Sequence, residues 1–86
     1  MSFMVDKLID ELDDFLERMD LEGVLYKVVE AILEDDWDRA VDEIAEFTNG
    51  NLEGEKARDF LEEMWEEMGD ILEEMYEIGE LYNPEE

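Results

Sequence analysis

A chain of 86 residues with 30 acidic and 6 basic side chains, formal charge −24 at pH 7, is one small domain over residues 1–86, with a modest core and no room for a second. Its 45% apolar content lifts it out of the disordered class despite that charge, while the sign of the charge excludes nucleic acid and anionic membrane surfaces as direct partners. The absence of cysteine and histidine excludes disulfides, thiolate or imidazole metal sites and histidine-based triads.

The start, MSFMVDKLIDEL, lacks the basic stretch and unbroken apolar run of a secretion signal, and no later run approaches a membrane span. A soluble, cytoplasmic protein is expected. Val5, Leu8, Ile9, Leu12, Phe15, Leu16 and Met19 fall at helical spacing, which predicts a first helix over 3–19 with Ser2 as its N-cap. Val24, Leu25, Val28, Val29, Ile32 and Leu33 repeat the pattern and predict a second helix over 21–34, with Asp20 as a candidate cap and Gly23 as a weak spot.

Trp37, Ala40, Val41, Ile44 and Ala45 are also helically spaced. Their stripe sits roughly 120° around the axis from the preceding one, far more than a straight helix drifts. A break near Glu34 to Asp36 would turn both stripes to one core, with Asp35 or Asp36 capping a third helix over 36–48. One long helix over 21–47 is the alternative. TNGNLEG, residues 48–54, reads as a loop, because Asn-Gly and a second glycine favour positive φ.

The last predicted helix spans 55–82, ending before Asn83-Pro84, where the residue preceding proline disfavours the α region. Its apolar residues occupy an arc of about 160° and its acids the opposite arc. The expected architecture is therefore all-α: a small three- or four-helix antiparallel bundle with a long acidic C-terminal helix. LEEMWE at residue 61 recurs as LEEMYE at residue 72, a shift close to three turns that stacks Met64 with Met75 and Trp65 with Tyr76. Trp37, Trp65, Tyr76, Met64, Met68 and Met75 read as core filling rather than a Met-rich groove. Trp65 and Tyr76 fall at the edge of the arc, where a partner or a homodimer mate would meet them.

No catalytic site, cofactor site or metal site is expected. Ser2 and Thr48 are the only aliphatic hydroxyls, and carboxylate-pair chemistry needs two acids in unlike environments within a cleft. A calcium loop begun at Asn49 places Gly54 correctly at the sixth position but Phe60 where the bidentate acid belongs. What stands out is the density of Glu62, Glu63, Glu66, Glu67, Asp70, Glu73, Glu74, Glu77 and Glu80, with no lysine or arginine after Arg58. Those nine are the candidate partner-binding residues, and a basic protein is the partner their sign selects.

In size, acidity and helical character the chain resembles the Ocr-like DNA-mimic proteins by which phages block host defence. The resemblance implies competitive inhibition of a host enzyme that handles DNA, such as a restriction, CRISPR or repair enzyme. Two other readings stay open at this point. One is a dedicated immunity- or antitoxin-type inhibitor of a single basic protein, steered by charge and anchored by aromatic residues. The other is a salt-adapted structural protein whose acids hold water and counterions.

Overall fold

The computed structural model of the chain describes residues 12–85. They form four helices: α1 (Leu12–Leu21), α2 (Val24–Leu33), α3 (Trp37–Phe47) and α4 (Gly54–Glu77). The all-α bundle expected from the periodicity is what forms, in its four-helix version, with no strand among the described residues. Ser2 and the beginning of the first predicted helix lie outside the described residues.

The break between α2 and α3 falls where the two misaligned stripes require it. Asp35 turns the chain at φ 60°, and the Arg39 N–H donates to the Asp36 carboxylate at 3.3 Å, making Asp36 the N-cap of α3. A continuous helix over 21–47 is thereby ruled out. The α2 carbonyls left over at the break are satisfied locally: Asp36 N–H donates to Ala31 O at 2.8 Å and Asp35 N–H to Ile32 O at 3.0 Å, the paired bonds of a Schellman ending.

Two expected boundaries move. Leu21 closes α1 instead of opening α2, and Asp20 does not cap α2; Gly23 holds that place in the left-handed conformation, φ 78° and ψ 5°. The final helix stops at Glu77 rather than near Tyr82. Gly79, at φ 78°, reverses the chain, and Glu80 N–H donates to Met75 O at 2.9 Å while Gly79 N–H donates to Tyr76 O at 3.3 Å. Glycine five residues before Pro84 thus ends the helix before proline can.

The freed tail folds back onto the α1–α2 corner. Leu81 is buried at 5% exposure, Tyr82 N–H donates to the Asp20 carboxylate at 2.9 Å, and the Pro84 ring lies so close to Gly23 that a Cβ there would sit 2.5 Å from Pro84 Cγ. The 48–52 loop is closed by Thr48, whose hydroxyl donates to Ile44 O at 2.9 Å and accepts from Leu52 N–H at 3.0 Å.

The core runs along one face of all four helices, from Met19, Val28, Val29 and Ile44 to Leu61, Met64 and Leu72, all with essentially no exposure. Phe15 stands edge-on to both Phe47 and Phe60, with ring centroids 5.5 and 5.3 Å apart. No charged or polar side chain is buried among the described residues. Every carboxylate described is therefore at least partly at the surface.

Candidate partner-binding face

α4 is 24 residues long, about 36 Å at 1.5 Å per residue, and matches the longest dimension of the molecule, 36 Å. Ala57, Phe60, Leu61, Met64, Gly69 and Leu72 turn inward. The helix therefore presents its remaining arc along the full length of the bundle. Glu62, Glu66, Glu67, Asp70, Glu73, Glu74 and Glu77 are exposed on that arc, and Glu63 is half-buried at its margin. Glu80 is exposed but lies beyond the helix end, in the reversed tail, so it belongs to the neighbourhood of the array and not to its axis.

Among the described residues one ion pair touches this face: Arg58 Nε donates to Glu62 Oε1 at 3.3 Å. Among the described residues no other acid of α4 forms an ion pair. Glu55, Asp59, Glu62, Glu63, Glu66, Glu67, Asp70, Glu73, Glu74 and Glu77 place ten carboxylates on α4, one per about 3.6 Å of axis at 1.5 Å per residue. A single DNA strand carries one phosphate per about 3.4 Å. Among the described residues no three acids converge closely enough to hold a metal ion.

The aromatic residues at the edge of the arc are engaged internally. Trp65 is half-buried and lies over Gly69, where a Cβ would meet its ring at 3.0 Å. Tyr76 donates its hydroxyl to Glu30 Oε2 at 3.1 Å, and its ring sits 5.0 Å from that of Tyr26. The Tyr26 hydroxyl, partial burial and the Glu30 carboxylate together hold the Tyr76 phenol well above its ordinary value. Arg39 joins the same group, with Nη2 3.6 Å from Glu30 and 3.2 Å from Glu34; Nη2 forms these ion pairs without a well-directed hydrogen bond. This network ties α2, α3 and α4 together. Met64 is buried and Trp37, Met68 and Met75 pack against the core, as core filling requires.

Two surface features escaped the sequence reading. Glu34, Asp35, Asp36, Asp38 and Asp42 form a second exposed acidic patch at the α2–α3 corner, of which the sequence pattern singles out only Asp35 and Asp36, as candidate caps. Ile71 and Ile78 are 55% and 65% exposed, although both fall within the apolar arc. Comparison of the chain with protein-family models, curated proteins and solved structures gives no significant match. Among the described residues no helix is long and apolar enough to cross a membrane.

Proposed function

We propose that the chain is an acidic inhibitor that lays the outer face of α4 into the basic nucleic-acid-binding groove of a DNA-handling protein, such as a host restriction, CRISPR or repair enzyme. The observation that carries this reading is the band of ten carboxylates along one arc of α4, at an axial density close to that of one DNA strand, with one ion pair, to Arg58, among the described residues. Lysines and arginines placed to meet phosphates would meet these carboxylates in the same groove. The acidic patch at the α2–α3 corner enlarges the negative field that steers such an encounter.

The experiment is competition. The protein should displace labelled duplex DNA from several unrelated basic DNA-binding proteins, with an affinity that falls steeply as salt rises. Changing Glu63, Glu66, Asp70, Glu73 and Glu77 together to Gln should weaken displacement by orders of magnitude, whereas each single change should matter little, because exposed pairs are individually weak. Unimpaired displacement by the five-fold variant would sink the reading.

A second reading, a dedicated inhibitor of one basic protein, is favoured by the exposed Ile71 and Ile78, which supply the apolar centre that a specific interface needs. Capture of one basic protein, with no effect on other DNA binders, would select it.

A further inference from the structure

Apolar residues recur along α4 and its cap at alternating steps of four and three: Ala57, Leu61, Met64, Met68, Ile71, Met75 and Ile78. That is the spacing of a seam that packs against another helix. Through Met64 the row is filled by the bundle itself, with Ala57 and Leu61 at 0% and Met64 at 1% exposure. Beyond it, among the described residues, the cover thins. Met68 and Met75 are half-buried, and Ile71 and Ile78 stand 55% and 65% exposed. Isolated exposed apolar residues are ordinary, but these four continue a register that the molecule fills elsewhere, over about 15 Å or three turns.

Charge on the border decides what can cover them. Glu67 and Glu74, both exposed, fall within roughly 60° of Ile71 and Ile78 around the axis, and no cation follows Arg58 in the chain. A second copy would bring like acids together along its whole seam, in a molecule already at −24. We infer that the strip Met68, Ile71, Met75 and Ile78 docks a basic amphipathic helix of the partner, its apolar residues in the seam and its lysines or arginines on Glu67 and Glu74. Flexible methionines let the seam accept side chains of varied shape. The inference rests on the proposed charge reading for the sign of the partner, and adds to it an apolar register that phosphate mimicry alone does not need.

Two synthetic peptides of identical leucine and lysine content and about 18 residues, or five turns, test it: one with leucines at helical spacing, one scrambled so that no apolar face forms. Titrated into the full chain at physiological salt, the amphipathic peptide should bind at least about tenfold tighter than the scrambled one. Ile71→Gln with Ile78→Gln should erase that advantage while leaving affinity for the scrambled peptide unchanged, and Ile71→Leu should retain it. Both isoleucines are exposed, so helicity by circular dichroism should not change. Equal binding of the two peptides, or an advantage that survives the double Gln variant, would overturn the inference. So would a wild-type dimer in sedimentation that the double variant abolishes, or nuclear Overhauser contacts in the free chain between these isoleucines and residues 1–11. DNA displacement measured alongside separates the two ideas: its failure with peptide discrimination intact removes DNA competition and keeps the seam.

Discussion

Gly23, Asp35, Asn49 and Gly79 follow the ends of the four helices with φ of 78°, 60°, 55° and 78°, so the left-handed residue is the device that terminates each helix here. Two of the four are not glycine and carry the cost of a Cβ in that region, of order 1 kcal/mol. Asp35→Gly relieves that cost and removes a charge from an acidic corner, but it frees the unfolded chain at a cost of about 0.4–1 kcal/mol. The net gain should therefore stay within about 0.5 kcal/mol, read as a slightly raised melting temperature. A lower melting temperature would mean that Asp35 makes a compensating contact. Tyr76 gives a prediction in the alkaline range. Its phenol is held above its ordinary value in the fold, whereas in the unfolded chain it titrates near pH 10. The folded state keeps a proton that the unfolded chain releases, so the stability linked to Tyr76 is complete below about pH 10 and declines as pH rises above it. Tyr76→Phe should be less stable at neutral pH, through loss of the bond to Glu30, but should show a shallower alkaline decline from about pH 10 to 12. Denaturant melts of both proteins across that range decide the matter.

At the scale of elements, the tail after α4 behaves as a fifth packing unit although it has no regular structure. Leu81 is its buried anchor, and the bond from Tyr82 to Asp20 and the Pro84 contact on Gly23 hold it in place. Leu81→Ala should cost about 2–3 kcal/mol, in the range of buried leucine truncations, and should speed amide exchange at Tyr82; a cost below about 0.5 kcal/mol would show the tail to be dispensable. This tail was hidden from the sequence reading. Tyr82, four residues after Ile78, continues the helical spacing of α4, and periodicity cannot register that Gly79 has already reversed the chain. Pro84 carried the weight of helix termination there, yet its role is to fit a glycine on another corner. The α2–α3 break was legible because two misaligned stripes cannot share one core, and a cap residue stood at the junction. The outward position of the α4 acids was legible for the same reason: an amphipathic helix of that composition has one way to face a core. The exposure of Ile71 and Ile78 was not, since spacing assigns a residue to a helix face but cannot say where along that face the neighbouring helices end. Asp20 shows the converse limit, a residue fit to cap a helix that instead accepts a bond from a segment 62 residues away.

For the whole molecule, folding and partner binding should respond to salt with opposite signs. At 10 mM ionic strength the screening length is about 30 Å, close to the 36 Å length of the bundle, so most of the acids repel one another across the molecule. At 1 M it is about 3 Å, and only adjacent charges still interact. The melting temperature should accordingly climb with sodium chloride, while affinity for a basic partner falls because the same ions screen the attraction. The five-fold Gln variant tests both halves at once. Glu63, Glu66, Asp70, Glu73 and Glu77 succeed one another at steps of three and four, giving four like-charge neighbour pairs among themselves and six more with Asp59, Glu62, Glu67 and Glu74, each unfavourable by about 0.2–0.5 kcal/mol at low salt. Glutamine is as good a helix former as glutamate. The variant should thus be more stable than wild type by at least about 1 kcal/mol, a rise of at least roughly 4–8 °C for a domain of this size, with a flatter dependence on salt. The same substitution should cost most of the partner affinity. A wild-type melting temperature that falls with moderate salt, or a five-fold variant that melts lower, would mean that the acids are held by attractions within the fold. The array would then be a structural feature of α4, and its carboxylates would not be free to meet a partner's cations.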